Sequence, residues 1–564
     1  MESTFPVKGQ RMNNLKLYAL GGLDETGKNL YCIEIDSKIF VVNCGIKRTD
    51  VTQFGVDYVI SDISYLIENK DRVKAVIITS MHDDMMEAVP YFIKQLNVPV
   101  YATQIALCFI KEYLRDNNIT GYTLKEMPRG GEFSIDGVNI TTFALTSSAP
   151  DAVGVAIETP KGQVVFAGQF VVDFDMTNNY FKTDIGAIAD IGKKGVLCAM
   201  IESMYSDRVG FTSPNHRITN HIRPYFEDAP GRIIITVYGQ NFFRVKEIFD
   251  LATECHKKTF FYNEEYRKTL NIFGAENYYM PPKDTLITPS KFSNDIDDCI
   301  ILVTGNGGRV FNDMYKIAIG EDELIELRET DTVIIASPVV SGSEKEASSM
   351  ENELYRDNVN VVKLDRKAVL SSHPSQEDIK MFLSLLKPTY FLPVMGEYRN
   401  FINAANLAVD IGFTPDKIII LDNGQIAEFE DGRLKSCASV IENIGETLIN
   451  AQEKRDITSS VLKDRELLST DGVIIIGIAI SYKTKRVIAG PDIQSRGVIY
   501  VKDSEYLIKN LGNMCIDLIE EKARNNEFNN METRAEMREM VSRYVLRETG
   551  KRPMILPAII EINM

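Results

Sequence analysis

The segment Ala75-Val-Ile-Ile-Thr79-Ser80-Met81-His82-Asp83-Asp84-Met85-Met86 decides how the first half of the chain is read. Its first five residues form an uninterrupted β-rich apolar run, which predicts a strand buried on both faces. A polar loop follows, and then a helical pattern over 86–96. Loops at the carboxyl ends of such strands are where layered α/β proteins place ligands. His82 and Asp84, two apart, can face one ion, although most surface loops of this composition bind nothing.

Short β-rich runs separated by turn residues precede that segment, over 16–20, 30–35 and 38–42. After it come an expected strand over 98–101, a helix over 104–115, and strands over 138–142, 152–158 and 163–166. Hairpins first, then strands alternating with helices, predict a layered α/β domain. The pattern restarts from about 205 to 365, with strands over 232–236, 299–303 and 332–336. It returns to the earlier style over 366–445, with strands expected over 390–394 and 417–421. A polar stretch from Asn450 reads as a linker. Beyond it lie strands over 472–477, 498–501 and 554–560 and two amphipathic helices.

Domains of about 150 residues make 564 residues three or four units. No apolar run reaches the roughly 18 residues a membrane span needs, and the start lacks a basic and then apolar leader pattern. A cytoplasmic protein without membrane partners is the expectation. The eight cysteines are scattered with no CxxC pair, so reduced, largely buried thiols are expected. A net charge of −16 argues against holding nucleic acid by bulk charge. It leaves room for a local basic channel. The five histidines, His82, His216, His221, His256 and His373, are few for a histidine-built metal cage.

Several separated runs match one family in order. They are Leu20-Gly-Gly-Leu-Asp-Glu-Thr-Gly-Lys-Asn29, Gly55-Val-Asp-Tyr-Val-Ile-Ser-Asp62, Val89-Pro-Tyr-Phe-Ile-Lys-Gln-Leu-Asn-Val-Pro-Val-Tyr101 and Ala489-Gly-Pro-Asp-Ile-Gln-Ser-Arg-Gly-Val-Ile-Tyr-Val501. The chain resembles the ribonuclease J family from about residue 14 to its end. The resemblance implies an αββα metallo-β-lactamase sandwich in two parts, 1–205 and 366–449. A β-CASP α/β domain over 206–365 is inserted between them. A linker over 450–465 and a C-terminal α/β domain over 466–564 complete the expected order. It also implies a nuclease with 5′-to-3′ exonucleolytic and endonucleolytic activity, serving ribosomal RNA maturation and messenger decay.

The family's hallmark is a T-H-x-H-x-D-H loop holding two zinc or manganese ions, a device suited to phosphodiester hydrolysis. Here that loop is Thr79-Ser80-Met81-His82-Asp83-Asp84-Met85, so only His82 and Asp84 match. The further ligand positions fall on Ser147, Gln169 and Met395, and the family's D-A-G turn carries Asn43. Neutral amides and hydroxyls bind cations weakly, and thioethers are soft ligands. No resident metal is therefore expected, and nuclease activity should be absent or weak. The alternative is a feeble manganese-dependent nuclease using His82, Asp84 and a carboxylate such as Glu87 or Glu202. Glu202 stands at the family's first acidic β-CASP motif. The family's phosphate-holding H-x-S-G-H run reads Val369-Leu370-Ser371-Ser372-His373, whose hydroxyls and imidazole can still donate to RNA. The expected partners are RNA, a second copy of the chain, and an active ribonuclease J paralogue in a hetero-oligomer. His216, His221 and His256 read as surface or core histidines.

Overall fold

The computed structural model describes residues 14–49, 55–340, 342–365, 369, 371–450, 455–456, 459–498 and 504–563. The chain divides into two compact units, one of residues 1–51 and 57–454 and one of residues 52–56 and 455–564.

In the first unit two sheets are built from the segments expected to be strands. The larger, eight-stranded sheet runs in the order Arg433–Val440, Gln425–Glu430, Asn14–Gly21, Leu30–Ile35, Lys38–Val42, Val73–Ile78, Val100–Ala102 and Leu124–Glu126. Its first part is antiparallel. It turns parallel from Lys38–Val42 onward. The second sheet has six strands, in the order Tyr390–Val394, Val196–Glu202, Gly162–Ala167, Val153–Thr159, Val138–Ala144 and Gly131–Ile135. One apolar core, with Phe40, Ile77, Phe166 and Leu392 among its members, joins the two sheets. The helices Val89–Gln95 and Gln104–Asp116 pack outside the first sheet. The helices Ile185–Lys194, Gln376–Leu386 and Tyr398–Asp410 cover the second. This is an αββα sandwich. The strand Val73–Ile78 has four consecutive fully buried residues, Ala75 to Ile78, because it lies between a core and a helical layer.

Between the sandwich strands Val196–Glu202 and Tyr390–Val394 runs an all-parallel sheet. Its order is Leu286–Ile287, Lys258–Phe261, Cys299–Gly305, Ile233–Tyr238, Thr332–Ile335 and Asn360–Lys363. Its most buried ion pair is satisfied throughout. Arg232 forks onto Asp331 at 2.9 and 2.6 Å and also donates to Asn294 and to the Glu326 carbonyl. Such bonding makes a fully desolvated charge tolerable.

The second unit has a three-stranded sheet in the order Val487–Arg496, Val473–Ser481, Met554–Ile562, with helices Ser504–Arg524 and Asn530–Thr549 against it.

Three expectations need correction. The helix expected over 86–96 is two helices, Asp83–Met86 and Val89–Gln95, because Pro90 can occupy only a first turn. The run over 417–421 is no ladder strand. It makes a single bridge, Phe391 to Ile418, and buries Ile419 and Leu421 in the core of the sandwich. A helix, Ser459–Thr470, starts within the stretch expected as a linker, of which 451–454 and 457–458 lie outside the described residues. The expected strand over 498–501 falls almost wholly outside them as well. The cysteines are free thiols, and Cys32, Cys44, Cys198, Cys299 and Cys515 are buried.

Candidate functional site

The loop after Val73–Ile78 is fastened on both sides by backbone and side chains. Asn43 accepts from the backbone N–H and the hydroxyl of Thr79, each at 2.9 Å, and its amide donates to Met85 Sδ at 3.1 Å. Cys44 N–H donates to the Met85 carbonyl at 2.7 Å, and Asn29 N–H to that of Asp84 at 3.1 Å. Gly45 is required here, since a Cβ at that position would stand 1.6 Å from the Asp84 carbonyl oxygen. Across the core, Val153 N–H donates to the Thr79 carbonyl at 2.9 Å.

His82 is buried, and both ring nitrogens are occupied. Nδ1 meets Ser80 Oγ at 2.6 Å and Nε2 meets Ser148 Oγ at 2.7 Å. Burial pushes the imidazole down to about 3, so it is neutral at physiological pH. Asp84 is half-buried. Burial, with Asp83 and Glu202 close by, pushes its carboxyl up to about 7 against the opposing influence of His373. Its Oδ2 accepts from Asn29 at 3.1 Å. Asp83 and Glu87 are both engaged by Arg48, at 2.7 and 3.1 Å. Glu87 therefore faces a guanidinium in this arrangement.

The other positions that the family resemblance singles out follow two patterns. Met85 and Met395 are buried in the same apolar core as Phe166, Met200 and Tyr31. A Cβ at Gly168 would come 2.6 Å from Met395 Sδ, so the thioether lies directly on the turn that carries Gln169. Ser147 and Gln169 are buried too, and Ser147 Oγ and Gln169 Oε1 have no hydrogen-bond partner. Asn43, Gln169 and Met395 all sit in left-handed backbone, with φ of 66°, 45° and 54°. Such residues cost on the order of 1–3 kcal/mol each and persist where the surroundings impose them.

Glu202 and His373, from separate motifs 171 residues apart, are brought together at 2.5 Å between Oε1 and Nδ1. Glu202 is wholly buried and its Oε2 has no partner. The His373 ring meets Tyr205 edge-on at 5.0 Å, and the Arg208 guanidinium covers the same tyrosine at 3.5 Å. Sequence reasoning missed Tyr205, Arg208 and Ser148. The run Tyr205-Ser-Asp-Arg208, just past Glu202, was the only available signal for the first two. In the run over 369–373, Val369 joins the core and Ser372 is buried. Leu370 lies outside the described residues, so Ser371 and His373 are the partly exposed members. The adjoining helix, Gln376–Leu386, begins with a Ser375–Asp378 capping box. Its N-terminal donors are committed: Gln376 and Glu377 N–H groups donate to the Arg208 and Gly210 carbonyls. His216 is a buried core residue, 3.2 Å from Asp173 and stacked on Phe243. His221 and His256 are exposed.

This donor set does not fit a pair of hard or borderline cations. Both imidazole nitrogens of His82 are already bonded, Met85 and Met395 offer core thioethers, and Ser80, Ser147 and Gln169 offer only neutral oxygens. Among the described residues, no three His, Cys, Asp or Glu side chains gather as a metal cluster.

An αββα sandwich interrupted by a parallel α/β domain, with the strand-end loops converging at the join, is the build of β-CASP metallo-hydrolases. Three family models match: "Ribonuclease J, beta-CASP domain" over 230–354, "Zn-dependent metallo-hydrolase RNA specificity domain" over 361–419, and "Ribonuclease J C-terminal domain" over 460–562. Ribonuclease J 2 of Staphylococcus aureus is 31% identical over 558 residues, which is 98% of this chain and 99% of that protein. Ribonuclease J 2 of Staphylococcus epidermidis matches with the same identity and coverage. The chain belongs to the ribonuclease J family. A crystal structure of a protein of unknown function from Enterococcus faecalis shares the fold at a TM-score of 0.51 and 14% identity. That match covers 74% of this chain and 100% of the other.

Proposed function

We propose that this chain acts in RNA processing and decay as a largely non-catalytic subunit that pairs with an active ribonuclease J and carries no resident metal. The observation that carries the reading is the fate of the ligand positions. His82 is closed off by two serine hydroxyls, while Met85 and Met395 have joined the apolar core. The site has been repacked into the sandwich, at about 1.5–3 kcal/mol for each buried methionine. The surrounding scaffold is complete, which is what selection for assembly and RNA placement would preserve. Ser371 and His373 remain partly exposed for phosphate contact. No helix among the described residues is long and apolar enough to cross a membrane.

A surface for the partner is available in the second unit. With helices on one side of its sheet, Ile475 and Leu556 stand side by side in register on the other. Ile475, Leu556 and Ile560 are 43%, 40% and 60% exposed. Apolar side chains in a row on an open sheet face mark interaction sites. The partner is an active ribonuclease J or a second copy.

The test combines metal analysis with assembly. After incubation with manganese and zinc, the purified chain should hold far less than one ion per molecule and should not degrade 5′-monophosphorylated RNA. Mixed with an active ribonuclease J from the same cell, it should co-elute in size exclusion, and Ile560→Arg should weaken that complex about tenfold or more. Two ions per chain with RNA decay would instead favour a manganese nuclease that recruits the free Oε2 of Glu202. Failure to bind either an active relative or itself would remove the subunit role.

A further inference from the structure

Two loops meet over the start of the helix Gln376–Leu386 and turn apolar side chains to solvent. Asp378, wholly buried in that helix, fixes both of them. Its Oδ1 accepts from Val172 N–H and its Oδ2 from Thr212 N–H, each at 2.9 Å. Each loop is also pinned separately. Arg217 donates to Asp173 at 3.0 Å, and Thr212 Oγ1 donates to the His373 carbonyl at 2.6 Å. The carbonyls of Arg208 and Gly210 accept from the first N–H groups of the helix. Backbone held this firmly leaves the side chains between its anchors little choice of place. Yet Phe174 is 73% exposed, Phe211 42% and Val209 88%, and none of the three belongs to the apolar cores of the sandwich. Single apolar residues at a surface are ordinary. Three on two loops joined at one carboxylate make a patch, and such a patch marks an interaction site.

Two of the three side chains are aromatic, and the patch runs on into hydrogen-bond donors. Arg208, next to Val209, lies over the Tyr205 ring, and no carboxylate among the described residues pairs with it. His373, bonded through its carbonyl to Thr212, gives Nδ1 to Glu202 and has no bond at Nε2 among the described residues. Ser371 is partly exposed two residues before it. Exposed flat rings bordered by a guanidinium, an imidazole and a hydroxyl match a polymer that alternates bases with phosphates. Asp175 and Asp207 are exposed nearby and reduce the attraction for phosphate. Stacking must therefore supply most of the affinity.

We infer that Phe174 and Phe211 form a stacking platform for unpaired bases of single-stranded RNA, with Arg208 on a phosphate between them. The inference rests on the reading that the chain places RNA, and it adds which side chains hold the bases. Base–aromatic stacking tolerates any sequence, because every base has a π-face. The platform thus takes any unpaired stretch.

The chain has no tryptophan, so Phe174→Trp and Phe211→Trp each place a sole indole on the platform and keep an aromatic ring there. Each full-length variant is titrated with a short single-stranded RNA. Total binding is read in parallel from the anisotropy of a 5′ dye. The indole emission should be quenched on binding in both variants, and an abasic sugar–phosphate oligomer should leave it unchanged. Phe174→Ala and Phe211→Ala should each weaken binding about five- to tenfold with the urea midpoint at the parent value. Arg208→Gln should lower the slope of log affinity against log salt by about one. RNA binding by anisotropy with no quench, or with both alanine variants at parent affinity, would overturn the platform while leaving RNA placement standing. A quench of equal size with the abasic oligomer would overturn base stacking. No RNA binding at any concentration would overturn both readings. A quench produced by an active ribonuclease J without RNA, and not by RNA alone, would make the patch a protein interface and overturn it as a base site.

Discussion

Replacing His82 with alanine is expected to lower the unfolding midpoint and to leave RNA decay where it was. The imidazole sits between Ser80 Oγ and Ser148 Oγ at 2.6 and 2.7 Å, and all three groups are buried. Removing the ring strands two hydroxyls in a dry site and opens a cavity, at a cost of about 2–4 kcal/mol. His82→Gln, whose amide can still meet one serine, should recover part of the loss. Stability is read from urea unfolding, and decay from loss of 5′-monophosphorylated RNA in manganese buffer. A working metal ligand would behave in the opposite way, because even groups outside the ligand set cost about 10–100-fold when altered. Any manganese-dependent decay that His82→Ala reduces a hundredfold would defeat the structural reading of this histidine.

The outcome for His82 also shows where sequence reading stopped. The buried strand over 75–79 was legible because a run without a polar face can only be covered on both sides. The positions to compare with the family's ligand loop could be located because each stands at a fixed place in a motif. What could not be read was their new partners. Ser148 was passed over beside Ser147, although it is Ser148 that reaches His82, 66 residues away in sequence. The pairing of Glu202 with His373 was equally invisible, because it depends on the inserted domain returning the chain to the sandwich. The misread run over 417–421 has the composition of a strand but only one backbone bridge, so its apolar residues serve the core without a ladder. Composition reports burial more directly than it reports pairing.

Asp84→Asn is expected to stabilise the protein at pH 8 and to make it more sensitive to acid. Burial raises Asp84 from 3.8 to about 7, so the folded chain keeps a proton that the unfolded chain releases. That contribution to stability is full below about pH 4 and is lost as the pH rises through about 7. His82 has the opposite slope. Its folded value of about 3 lies below the ordinary 6.5, so its contribution is full above pH 6.5 and is lost as the pH falls toward 3. Between about pH 4 and 6.5 the two slopes oppose each other, and the parent protein should show a shallow pH dependence there. Asparagine keeps an oxygen for the Asn29 amide and removes the charge that burial disfavours. The variant should therefore gain on the order of 2 kcal/mol at pH 8 and match the parent near pH 4. Its stability should fall more steeply on acidification, since the His82 slope is no longer offset. Combining His82→Ala with Asp84→Asn should flatten the profile. Urea midpoints measured from pH 4 to 8 separate these cases. A carboxylate that served to hold a cation would give the reverse result: Asp84→Asn would be destabilised at pH 8, and metal added to the parent would raise its midpoint.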